Sequence, residues 1–416
     1  MGRRPSRSPR PRPSRARILF IAAVAVVGVG LSYLTVAVSA ANSYRAVRPD
    51  FANAFAPFDA RAKAGLAEQA SVRFARDRGA RADAIRLAHE ALARDATVVA
   101  AWRTLGFGLE AQGRRPQAER LILFAEQLSR RDLPTQLWLI ERSVSRDDIE
   151  GALAHYDIAL RTTQTAADIL FPILVQATAN NDIVSPLATL LRTDPPWRRA
   201  FVMKLSEGAP SSPNVARLLE ETGRGRPVED ADILANLIHR MTSENDFAAG
   251  WRLYRAWRHP DPRVGLRNGG FDGQNPAPPF DWRLESSANL SAEQTIVDGS
   301  GSGPVLAIRA SSGISGIAAQ QVMMLAPGSY RVAALSGALP DTDPGGLYWR
   351  VICGGPNGAV LGEGRQLSQG APSLPAGQFR VPAGGCSAQW LQIGVLPRGE
   401  ATTTGAWIDS LRVTAG

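Results

Sequence analysis

Residues 257–262 read Trp257-Arg258-His259-Pro260-Asp261-Pro262, and the chain is patterned differently on either side of them. Two prolines in three positions end any helix or central strand, because each lacks an amide hydrogen and fixes its own φ. Upstream, over residues 60–257, apolar side chains recur at three- and four-residue spacing, with breaks at glycine, proline and polar clusters. That is the period of amphipathic helices. Downstream, glycine and serine rise and charges thin out. Short alternating runs appear there, such as Ser329-Tyr330-Arg331-Val332 and Leu391-Gln392-Ile393-Gly394-Val395. These are strand signals bounded by turn residues. The chain divides into a helical domain over 60–258, a linker over 259–263 and a strand domain over 264–416.

At the other end, Arg3, Arg4, Arg7, Arg10, Arg12, Arg15 and Arg17 precede 24 uncharged, mostly apolar residues, 18–41. A helix of that length spans roughly 36 Å, enough for a ~30 Å hydrocarbon core with some tilt. The arginines place residues 1–17, a proline-rich tail, in the cytoplasm by the positive-inside bias. Everything beyond the span is then expected across the inner membrane, in the periplasm. The competing reading is a cleaved secretory signal ending at Val38-Ser39-Ala40. A cleavable apolar core is usually ~7–15 residues, so the longer run reads as an uncleaved anchor. Residues 42–59 read as a linker.

The 416 residues carry a net charge of +9, of which the tail supplies seven, so the remainder is close to balanced. No basic patch interleaved with aromatics appears, which excludes a nucleic-acid-binding reading. Lys63 and Lys204 are the only lysines; arginine dominance with abundant alanine fits a GC-rich bacterial coding bias. Cys353 and Cys386 both lie in the strand domain, 33 residues apart. In an oxidising compartment such a pair reads as a disulfide, with two buried thiols as the alternative.

The helical half repeats. Ala84, Ala118 and Ala152 are spaced by 34 residues, as are Ala91, Ala125 and Ala159, and Gly79 and Gly113 keep the same step. The middle unit adds Trp102, Leu105, Gly106 and Leu109. This resembles the tetratricopeptide repeat, a pair of antiparallel helices per 34 residues. Small side chains sit where two helices cross closely, and Trp and Leu fill the gap to the next pair. The register is lost after about residue 162. The resemblance implies a groove that docks a protein partner.

The strand half opens Leu266-Arg267-Asn268-Gly269-Gly270-Phe271-Asp272, continues through Phe280-Asp281-Trp282 and Pro327-Gly328-Ser329-Tyr330, and closes Trp407-Ile408-Asp409. This order of landmarks resembles jelly-roll carbohydrate-binding modules. The resemblance implies an antiparallel β-sandwich that contacts glycan, and a structural calcium held by Asp272 and Asp409. Turn or capping carboxylates are the alternative for that pair, since a hard cation needs about six oxygens.

Alternation within strands divides inward from outward side chains. Leu391, Ile393 and Val395 share one face, as do Trp349, Val351 and Cys353. Tyr348, Arg350, Trp390 and Gln392 fall opposite and form the expected glycan face; the alternative packs Tyr348 and Trp390 under a loop or against the helices. Trp282, Tyr330 and Trp407 are expected in the core.

No phosphate loop, dinucleotide fingerprint or G-x-S-x-G elbow is present. The four histidines, His89, His155, His239 and His259, show no ligand spacing. The expectation is a multidomain α and β protein without enzymatic activity or further cofactor: a membrane-anchored scaffold in envelope polysaccharide assembly or export. A purely protein-binding assembly factor and a polysaccharide-modifying enzyme are the alternatives.

Overall fold

The computed structural model describes residues 15–72, 78–210, 212–223, 231–260, 265–300, 303–343, 346–354, 358–365, 376–397 and 403–416. Most of the arginine-rich tail and residues 261–263 of the expected linker lie outside these. Helices occupy the first part of the chain and two antiparallel sheets the last. The compact units, however, divide earlier, between Ala166 and Ala167.

In the first unit, α1 (Arg15–Tyr44) is 30 residues long. Among the described residues it is the one helix long and apolar enough to cross a membrane. Residues 42–59, expected as a linker, instead hold a further helix. Its seven-residue stretch α2 (Pro49–Phe55) was too short to display a period. Proline opens it where a missing amide hydrogen costs nothing. Ala37 and Ala41 of α1 pack with Ala52, Ala56 and Ala62, each at most 1% exposed.

Three helix pairs follow: α3 (Ala60–Ser71) with α4 (Arg78–Leu92), α5 (Val99–Glu110) with α6 (Arg115–Leu128), and α7 (Leu133–Val144) with α8 (Ile149–Thr162). Both alanine series fall on the second helix of each pair and are buried. Their small size lets the helices cross closely. At Gly106 an added Cβ would meet Ile122 Cδ1 at 2.7 Å. Asp132 caps α7 by accepting from Thr135 N and also pairs with buried Arg103 on α5, tying one pair to the next.

The second unit begins with α9 (Ala166–Ala177), α10 (Asn181–Arg192), α11 (Arg198–Gly208), α12 (Ser212–Thr222), α13 (Ala231–Ser243) and α14 (Phe247–Arg258). Pro172 and Pro186 lie inside α9 and α10. Each removes a helical hydrogen bond, one physical reason the 34-residue pattern is not sustained here. An aromatic cluster of Phe171, Trp197 and Phe201, with centroids 5.8–6.3 Å apart, fills the space between helices.

The strands form a β-sandwich of jelly-roll type. One sheet runs β1 (Arg283–Leu284), β4 (Gly316–Met323), β9 (Gln389–Val395), β6 (Leu347–Cys353), β7 (Val360–Arg365) in spatial order. The other runs β2 (Leu290–Thr295), β3 (Val305–Ala310), β10 (Thr404–Ala415), β5 (Gly328–Ala338), β8 (Gly377–Val381). Every strand pair is antiparallel. Leu347, Trp349, Val351, Leu391, Ile393 and Val395 point into the core, as alternation requires. Trp282 is buried with them, whereas Tyr330 is half-buried against Phe379 and Trp407 half-buried beside Val305 and Leu339. Cys353 and Cys386 form a disulfide with Cα atoms 5.4 Å apart, joining the end of β6 to the loop before β9.

The last helix is built into this sandwich. Trp251 and Tyr254 of α14 stack on one another and both meet Phe280, at 5.2 and 5.4 Å between centroids. The Tyr254 hydroxyl donates to Asp281 Oδ1 at 2.6 Å, and Asp281 Oδ2 accepts from Ala277 N. Arg267 lies over both α14 rings, its guanidinium 5.0 Å from Trp251. It donates to the carbonyls of Phe280 and Val322. A cation so deeply buried persists because carbonyls and ring faces replace its water.

Candidate ligand face of the β4-β9-β6-β7 sheet

The outer face of this sheet carries one polar row across three strands. Register places Gln320 of β4 opposite Gln392 of β9, and Gln392 opposite Arg350 of β6. The Arg350 guanidinium donates to Gln392 Oε1 at 2.8 and 3.2 Å, and Gln392 Nε2 donates to Gln320 Oε1 at 3.2 Å. Gln392 is only 6% exposed, so these bonds stand in for its hydration. Glu363 of β7 lies opposite Arg350 and extends the row to the sheet edge.

Beside this row lies Tyr348. An added Cβ at its cross-strand partner Gly394 would fall 2.4 Å from Tyr348 Cζ and Oη. The phenol ring therefore lies across the strand at a position only glycine can occupy. Arg350 approaches the same ring, 5.8 Å from its centroid. The result is a flat, half-exposed aromatic surface beside planar amide and guanidinium groups.

Trp390 also points outward, next to Val322 and Ile352 in register, and this end of the face is covered. Val322 N donates to Pro279 O at 2.7 Å, and Phe247 of α14 meets the Trp390 ring edge-on at 6.4 Å between centroids. Trp390 is thus partnered by protein, while Arg350 and Gln320, and beyond them Tyr348, are half-exposed further along the same face. Gln320, Gly394 and Phe247 were not among the residues expected at this face. Gln320 and Gly394 sit in the right alternating runs, but their partners depend on register. Phe247 lies on a helix that carries no signal of what it will cover.

Asp272 and Asp409, the expected calcium pair, converge on Gly270. An added Cβ there would find Asp272 Oδ1 at 3.7 Å and Asp409 Oδ1 at 4.0 Å. Asp409 lies where the register of β10 shifts against β5, next to Ser410 at a φ of 50°. Its Oδ1 accepts from Ser410 N at 2.5 Å. Among the described residues no group of three or more His, Cys, Asp or Glu side chains is gathered. The pair supplies part of a hard-cation donor set, and backbone oxygens would have to complete it.

No family model matches the chain. No curated protein matches it. Among solved structures, it is similar to a CBM4 module, at 15% identity over 36% of this chain and 99% of that one, with a TM-score of 0.26. A second is TmCBM61, solved with β-1,4-galactotriose, at 15% identity over 37% and 99% of the two chains and a TM-score of 0.25. A third is a xylan-binding CBM22-1 domain from Paenibacillus barcinonensis, at 10% identity over 35% and 91%, with a TM-score of 0.24.

Proposed function

We propose that the protein is a non-enzymatic, membrane-anchored scaffold whose β-sandwich binds glycan at the Tyr348 end of the β4-β9-β6-β7 face. The observation that carries this reading is the Tyr348 ring laid over Gly394 beside the Arg350–Gln392–Gln320 row. A pyranose offers an apolar ring face and a rim of hydroxyls; an aromatic plane takes the first, and planar donors and acceptors take the second. The α1 helix is the anchor, with the arginine tail in the cytoplasm and the chain beyond α1 in the periplasm of a bacterium. The paired helices before Ala166 act as a tetratricopeptide-like array for a protein partner. Within the envelope this combination suits assembly or export of a polysaccharide. A structural calcium at Asp272 and Asp409 belongs to the same reading.

The test is binding of the full-length protein in detergent to an array of bacterial envelope polysaccharides and plant β-glycans. Retention on at least one acidic or neutral polysaccharide supports the reading; no retention on any contradicts it. The specific observation favouring the second reading, a purely protein-binding assembly factor, is that Trp390 already packs on Phe247. That reading expects no retention.

A further inference from the structure

The segment after α1 buries its small side chains and exposes its large ones. In α2, Ala52 and the following Ala56 are fully buried against α1 and α3, while Phe51 and Phe55, four residues apart, are 37% and 40% exposed. Phe58 is 45% exposed and Tyr44, at the end of α1, 47%. Three of these rings are in contact: Tyr44 meets Phe51 at 5.0 Å and Phe51 meets Phe55 at 4.6 Å between centroids. A helix packed for water does the reverse, and a contiguous aromatic patch of this kind marks an interaction surface.

We infer that this patch lies in the outer leaflet of the bilayer that α1 crosses, as an interfacial collar, an inference that rests on α1 being the anchor. The α1–α2 contact sets the depth. The Tyr33 hydroxyl donates to Phe55 O at 3.2 Å. A ~30 Å core counted from Leu19 takes about 20 residues and ends near Val38, so Tyr33 stands about 8 Å below its outer boundary. Phe55 is held alongside, at the ~5–10 Å depth where an amphipathic interfacial helix seats its apolar face. The exposed Arg48–Asp50 ion pair flanks the patch and suits the headgroup layer.

Single cysteines at Val26, Phe51, Phe55 and Gln69 of the full chain, with the native disulfide left oxidised, would be spin-labelled in nanodiscs of phosphatidylethanolamine and phosphatidylglycerol. All four sites lie on exposed side chains and none belongs to the buried alanine contact that joins α1, α2 and α3. The ratio of oxygen to nickel-chelate collisions should be high at 26, 51 and 55 and low at 69. A high ratio at 26 with low ratios at 51 and 55 overturns the collar and leaves the anchor standing. A low ratio at 26 overturns the anchor and the collar with it. Labels at 51 and 55 immobilised and shielded from both reagents would show protein, not lipid, on this face, and would also overturn the proposal.

Discussion

Phe247, the first residue of the last helix, stands edge-on to Trp390 on β9, the central strand of the β4-β9-β6-β7 sheet, with ring planes at 84°. This contact adds to those of Trp251 and Tyr254 in holding the helix to the sandwich, and it covers the Trp390 end of the sheet face. Gly354 lies under the same ring: an added Cβ there would meet Phe247 Cε2 at 3.3 Å. A helix and a sheet that read as separate domains in the sequence share one packed junction.

An aromatic pair of this geometry contributes about 0.5–1.5 kcal/mol beyond its buried area. Phe247→Ala and Trp390→Ala should each lower stability, and the double variant should lose less than the sum by about that amount. Urea unfolding of the four proteins measures the coupling; strict additivity would mean that the rings do not interact.

Burial, and then the hydrogen bond to Asp281, push the Tyr254 phenol well above its ordinary value of 10.0. The folded state therefore holds this proton longer than the unfolded chain does. Its contribution is complete below about pH 10 and is lost as pH rises through the folded value. Stability should fall above about pH 10, and Tyr254→Phe should flatten that part of the decline. The variant also leaves Asp281 Oδ1 short of a partner, so at neutral pH it should be about 1–3 kcal/mol less stable. Denaturant midpoints between neutral pH and pH 11 check both parts.

By loop entropy the Cys353–Cys386 bridge, closing 33 residues, contributes roughly 3–4 kcal/mol. Reduction with dithiothreitol should lower the melting temperature of the second unit, and Cys353→Ala with Cys386→Ala should abolish the response to reductant. An unchanged melt on reduction would remove the bridge from the account of stability.

If Asp272 and Asp409 hold calcium, added calcium should raise the melting temperature and Asp409→Asn should cancel the rise. Calorimetric titration provides the binding curve. A melt indifferent to calcium in the native protein would leave the two carboxylates as turn residues.

Much of this architecture was legible in the residues. Two alanine series at one step located the close helix crossings, because only small side chains fit there. Alternation in β6 and β9 separated Trp349 and Leu391 from Tyr348 and Gln392 without any knowledge of partners. What escaped were features that depend on register or on what a distant segment covers. Gln320 joins the polar row only because β4 pairs with β9 at one offset. Phe247 reaches Trp390 across more than a hundred residues of intervening chain. The α2 helix escaped for a simpler reason: it is two turns long, and its exposed phenylalanines oppose the pattern by which a soluble helix is recognised.

The glycan-binding claim is tested most directly by affinity electrophoresis of the full chain through gels containing the polysaccharide it retains, comparing Tyr348→Ala with Leu335→Ala. Leu335 is 59% exposed on the other sheet, so its removal controls for a lost surface side chain. Tyr348→Ala should weaken retention about tenfold, equivalent to about 1.4 kcal/mol, with little change in melting temperature, while Leu335→Ala should bind as the native protein does. Equal retention by all three proteins would contradict the claim.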